Sequence, residues 1–123
     1  MTQLKRGKAR IMTAYMVTAL IVVLITVLAL VPSGPATPVV GNDKVGHALA
    51  FFVLVLPLAC VAPHRWLAIW LGAVTYGALI EIIQPLTGRM AEMGDLLADG
   101  AGATVGIFVA IGWAAWRGKV RLA

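Results

Sequence analysis

The stretch E-I-I-Q-P-L-T-G-R-M-A-E-M-G-D-L-L-A-D, Glu81–Asp99, holds four of the chain's five carboxylates together with Gln84 and Arg89. The sequence on either side of it is almost wholly apolar. Polar and ionisable groups at the edge of an apolar segment are costly, so their position calls for a reason. The expectation is that the rest of the chain is scaffold, holding this stretch against Asp43, Lys44 and His47.

Composition supports a membrane scaffold. The 123 residues are enough for one domain. They are 61% hydrophobic and 12% charged, with a mean hydropathy of +0.95. A soluble domain carries about 25% charged residues. The net charge of +5 follows membrane topology, as argued below, and no nucleic-acid partner is read from it. The single cysteine, Cys60, lies in an apolar run and is read as a small hydrophobe in a helix.

Working outward, the apolar runs divide into four helices, at about 11–31, 44–62, 66–85 and 93–116. Residues 1–10 carry Lys5, Arg6, Lys8 and Arg10 and no acid. The uncharged run Ile11–Val31 is longer than the apolar core of a signal peptide, roughly 7–15 residues. It is long enough to cross a bilayer of about 30 Å. It is expected to stay uncleaved as a signal anchor. Pro32–Pro38 cannot continue a helix and reads as a loop. Asn42 or Asp43 offers an N-cap to the second helix, and Pro57 is expected to kink that helix. Pro63-His64-Arg65 is a short turn, with His64 solvated. Trp66 and Trp70 open the third helix, and Trp113 and Trp116 anchor the far end of the fourth, where indoles favour the membrane interface.

With the N-terminus in the cytoplasm, eight of the ten basic residues lie inside, leaving Lys44 and Arg89 outside. This bias sets both termini in the cytoplasm. The five acids, Asp43, Glu81, Glu92, Asp95 and Asp99, all fall at or near the outer face. The positive-inside rule does not require that second segregation.

Helical spacing gathers the polar groups. Glu81 and Gln84 are three apart, Asp95 and Asp99 four apart, and His47 follows Asp43 by four and Lys44 by three, so each set can share a face. The expected polar cluster is Asp43, Lys44, His47, Glu81, Gln84, Arg89, Asp95 and Asp99. Its candidates for chemistry are His47, Glu81 and Asp95. Glu92 is read as a solvated loop charge. Gly102 and Gly106 continue the Asp95–Asp99 face as a small-residue stripe for helix packing.

Two readings of the cluster stand. In one, it is a structural network in which Arg89 and Lys44 each pair with a carboxylate and His47 is capped. In the other, it is an outward pocket for a head group. One histidine with two or three carboxylates also suits a divalent metal, but no ligand pair has a specific metal spacing. No metal or other cofactor is therefore assigned. No Ser-His-Asp spacing, phosphate-binding glycine loop or heptad repeat is present.

The pattern resembles the VanZ-like family of small integral membrane proteins. The resemblance is carried by D-K-V-G-H at Asp43–His47 with Phe51 and Phe52, and by Y-G-x-x-x-E-x-x-Q at Tyr76–Gln84. Gly88-Arg89 and D-L-L-A-D-G-A-G-A-T-V-G at Asp95–Gly106 complete it. These cover about half of the chain, in order. The resemblance implies four transmembrane helices with the motif residues at one membrane face. The first helix carries no motif. Asp99 departs from the pattern, since the family commonly has asparagine there. The family takes its name from a protein linked to resistance to teicoplanin, a glycopeptide that binds cell-wall precursors.

The sequence is thus read as one all-α domain spanning 1–123, a four-helix transmembrane bundle in a bacterial inner membrane. The partners expected are the lipid bilayer and a lipid-linked or glycan head group, bound or modified at the outward site. The alternative is an accessory or structural subunit among other membrane subunits. An ion-coupled carrier fits less well, because no inverted repeat is evident and only Thr75 and Tyr76 offer polar atoms at depth.

Overall fold

A computed structural model of the chain describes residues 2–31 and 42–121, with side chains described over 4–31 and 43–118. Four helices form an up-and-down bundle: α1 (Thr2–Leu30), α2 (Asn42–Val61), α3 (Trp66–Ile83) and α4 (Met93–Arg121). No strand occurs among the described residues. All four helices contain a segment long and apolar enough to cross a membrane. The expected proline loop at 32–38 lies outside the described residues.

The helix bounds differ from the sequence reading in ways that have local causes. Helix α1 begins at Thr2, because Leu, Lys, Arg and Ala around the basic residues favour helix. At 29 residues it is about 43 Å long. Helix α2 starts at Asn42, so Asp43 lies in its first turn and the cap position falls on residue 41, outside the described residues. It runs through Pro57 without interruption. Helix α3 ends at Ile83, and Gln84–Thr87 tightens to a 3-10 turn. Pro85 has no amide hydrogen to continue the α-helical ladder. Gly88 closes that turn at φ +78°, a conformation that costs glycine little. Helix α4 continues past the expected end at 116 to Arg121.

The core is built mainly where α2 meets α4. Phe51, Leu54, Val55 and Ala59 of α2 are buried with Ala103, Ile107 and Ala110 of α4, and Ala73 and Ile80 of α3 join them. Lipid is as apolar as a side chain, so close packing rather than water exclusion holds such helices together. The expected small-residue stripe performs that packing. A Cβ at Gly102 would collide with the Ala48 carbonyl, and one at Gly106 would lie 2.7 Å from the Phe52 carbonyl and 2.6 Å from the Val55 side chain. Backbones therefore approach where Gly102 and Gly106 face α2. Trp70 Nε1 donates to Thr104 Oγ1 at 2.9 Å, tying α3 to α4.

Helix α1 is attached differently. Among its described residues only Ala14 is a buried hydrophobe. Ile21, Val22, Ile25 and Ala29 lean on the core, whereas Leu20, Val23, Leu24 and Leu28 are exposed. Its polar tie is a triangle of Thr26 Oγ1, Tyr76 Oη and the Val22 carbonyl, with edges of 2.8 to 2.9 Å. Two hydroxyl hydrogens make two of these three edges hydrogen bonds at any one time, and the Thr26 and Tyr76 hydroxyls can each donate to the Val22 carbonyl. Polar atoms at depth are thus more numerous than the Thr75 and Tyr76 read from the sequence. Thr26, Thr104 and Trp70 add to them.

Candidate functional site

Alternating helix direction brings the C-terminal end of α1, the N-terminal end of α2, the C-terminal end of α3 and the N-terminal end of α4 to one end of the bundle. The residues of the expected cluster are all there, but they form two groups with different partners.

The first group spans α2 and α4. Lys44 Nζ donates to Asp95 Oδ1 at 3.2 Å and to Glu92 Oε2 at 2.8 Å. His47 Nδ1 lies 2.9 Å from Asp99 Oδ1, and His47 Nε2 lies 3.7 Å from Asp95 Oδ2. An ionised carboxylate only accepts, so Nδ1 carries the hydrogen in the bond to Asp99. Asp43 lies one turn before His47, exposed, in the first turn of α2. Asp95 occupies the first turn of α4. Both aspartates benefit from the positive ends of their helix dipoles.

Burial is the unusual property of this group. Asp99 is completely buried, and Asp95 and Glu81 are nearly so. Glycine makes room for them. A Cβ at Gly77 would stand 2.6 Å from Asp99 Oδ2 and 3.3 Å from the Phe51 ring. The Y-G pair of α3 thus serves the aspartate of α4. Glu81 Oε2 accepts the Glu92 backbone N–H at 2.8 Å, holding the residue that leads into α4. Glu81 Oε1 and Asp99 Oδ2 are buried and make no hydrogen bond.

The second group belongs to α1. Gln84 Nε2 donates to the Ala29 carbonyl at 3.4 Å, and Arg89 donates to the Leu28 carbonyl at 3.3 Å. The last four carbonyls of a helix lack intrahelical donors. Leu28 and Ala29 are among them, so Gln84 and Arg89 cap α1. A guanidinium there also suits the negative end of the helix dipole. The structural-network reading of the sequence paired Arg89 with a carboxylate. Among the described residues it makes no such pair, because its reach is taken by α1.

Glu92 also differs from expectation. It is half exposed, yet it bonds Lys44 rather than standing free in solvent. The Lys44 ammonium holds its carboxyl below the usual carboxylate range. Sequence reasoning missed Thr26 and the α1 carbonyls as well. Thr26 carries no motif, and a main-chain acceptor exists at every residue. No residue signature in the sequence marks the end of α1 as the neighbour of Gln84 and Arg89.

A cavity of about 230 Å³ opens beside the cluster between α1, α2 and α3. Asp43, His47 and Arg89 form its polar wall, and Ile25, Leu28, Phe51 and Ile80 its apolar wall. Cavities of about 340 and 490 Å³ lie deeper and are mostly apolar. At the other end, Arg10, Cys60 and Arg117 line a cavity of about 550 Å³. The three basic segments at 5–10, 65 and 117–121 thus occupy the end opposite the acids.

Comparison with known families gives a match to the family described as VanZ/LLP1, over residues 11–115. No curated protein matches the chain, and no solved structure does.

Proposed function

The chain belongs to the VanZ/LLP1 family, and from that premise we propose that it is a cell-envelope membrane protein whose polar end faces outward and binds or modifies a lipid-linked or glycan head group. Both termini then lie in the cytoplasm of a bacterial cell, with the protein in its inner membrane. The basic residues support this orientation: eight of ten belong to the end away from the acids.

One observation carries the reading. The cavity beside His47 has a polar wall and an apolar wall at the end of the bundle, which suits a molecule that is part head group and part lipid chain. Small-molecule sites combine a largely apolar lining with a few placed polar groups in this way. His47, Glu81 and Asp95 are the residues proposed to act on or hold the head group.

The test replaces each of them singly, as His47→Ala, Glu81→Gln and Asp95→Asn, with the level of protein in the membrane measured for each. The expected result is loss of the wild-type response in a glycopeptide-sensitivity assay at unchanged membrane level. Full activity in all three variants would overturn the reading.

A second reading is favoured by α1. Among the described residues of α1, Ala14 is the one buried hydrophobe and Leu20, Val23, Leu24 and Leu28 are exposed, a long apolar face that suits another membrane subunit. Purification in mild detergent decides between the two. Stable co-purification of a defined partner supports an accessory role, and a lone chain counts against it.

A further inference from the structure

We propose that Asp43, His47 and Asp95 bind a divalent transition-metal cation, with Asp99 orienting the histidine. The side-chain geometry carries this independently of the head-group reading. One donor atom from each of Asp43, His47 and Asp95 lies within 4.8 Å of the others. Two come from α2, one turn apart, and the third comes from α4.

The histidine has the arrangement that a metal ligand needs. Its Nδ1 lies 2.9 Å from Asp99 Oδ1, and in the neutral ring with that hydrogen on Nδ1 the lone pair is on Nε2. A metal-bound histidine regularly gives its other ring N–H to a carboxylate, which fixes the tautomer and raises ligand basicity. Asp99 is completely buried, so it holds the imidazole from a rigid position. Nε2 then faces Asp95 Oδ2 at 3.7 Å. That separation is beyond a hydrogen bond. It matches two ligands on one tetrahedral ion, which stand about 3.4 Å apart at bond lengths near 2.1 Å.

Asp95 divides its oxygens between two tasks. Oδ1 holds Lys44, and Oδ2 faces the histidine. Asp43 closes the set by rotation of an exposed side chain. The charge balance points to a cation. Asp95, Asp99 and Glu81 are nearly or fully buried, and Asp43 and Glu92 lie beside them, while among the described residues Lys44 is the one ammonium paired with this group. Arg89 is turned to α1. Buried carboxylates are stable when paired or bound to metal. Glu81 Oε1 and Asp99 Oδ2, both buried, make no hydrogen bond.

One imidazole nitrogen and two carboxylate oxygens make a set of three protein ligands, as in zinc sites that keep a fourth position open. Two of the three, Asp43 and His47, also line the cavity of about 230 Å³, from which a further ligand would reach the ion.

The test uses the full chain, tag-free and chelator-treated, in detergent micelles. It is titrated with Zn²⁺ alone by calorimetry, with bound metal counted after dialysis. The expected result is one saturable Zn²⁺ per chain. His47→Gln weakens binding at least about tenfold and Asp99→Ala about 10–100-fold, while His64→Gln, at the far end, binds as the wild type does. If His47→Gln does not fold, Asp43→Asn in the exposed first turn takes its place with the same expectation. Absence of binding in the wild type, or equal binding by wild type and His47→Gln, would overturn the proposal. The measurement involves no head group, so its failure is distinct from failure of the sensitivity assay.

Discussion

The two ends of the bundle carry charge in opposite ways. At one end Lys44, Glu92, Asp95, His47 and Asp99 are linked by contacts across α2 and α4, with both aspartates buried. At the other, Arg10, Arg65 and Arg117 are exposed and make no ion pair among the described residues. Solvated basic residues need only lie on the correct side of the membrane. The acidic end needs something more demanding, a helix approach close enough to stack side chains from two helices in one place. The difference predicts that packing changes will damage the acidic end and that the basic end will tolerate change.

The largest effect is expected where that approach is closest. Gly102→Ala places a methyl group into the Ala48 carbonyl and should destabilise the bundle by about 3 kcal/mol. Gly112, with open space around it, should accept alanine within about 0.5 kcal/mol. Unfolding in detergent mixtures measures both. Equal effects would show that α2 and α4 do not meet as described.

A smaller effect is expected from the histidine's partner. Asp99→Ala leaves the His47 Nδ1 hydrogen without its acceptor in a half-buried place and should cost about 1–3 kcal/mol. Asp99→Asn keeps an acceptor oxygen and should cost less than half as much as the alanine. The same unfolding assay reads this. A more damaging asparagine would mean that the negative charge, rather than the hydrogen bond, holds the ring.

The smallest effect is expected at the surface pair. Lys44 lowers the pKa of Glu92, so the pair contributes stability above the ordinary glutamate range. That contribution is lost as pH falls through the lowered value. Wild type should therefore melt above Glu92→Gln at neutral pH, and the gap should close as pH falls below the ordinary glutamate range and through the lowered value. It should also narrow at high salt, because both partners are about half exposed. A gap that widens on acidification would contradict the pairing.

Much of this contrast was legible in the sequence. Four uncharged or nearly uncharged runs specify four helices. The spacing of Asp43 to His47, Glu81 to Gln84 and Asp95 to Asp99 puts each set on one helix face. What could not be read is where Gln84 and Arg89 would turn. Their partners are the unpaired carbonyls of Leu28 and Ala29, and every helix C-terminus offers such acceptors without a residue signature. Charge alone suggested a carboxylate for Arg89. The fold placed the end of α1 within its reach instead. Glu92 was misread for a related reason. A loop acid looks solvated until the lysine of another helix is set against it.

Membrane sidedness is the measurement on which the account turns. Cys60 is the chain's single cysteine, so Cys60→Ala gives a clean background. Met90→Cys, at a strongly exposed position beside the acidic end, and Gly118→Cys, with open space at the basic end, are then made separately. Intact cells are treated with a membrane-impermeant maleimide. With the acidic end outward, Met90→Cys is labelled at once and Gly118→Cys only after permeabilisation. The reverse pattern would put the acidic cluster in the cytoplasm and contradict an outward-facing site.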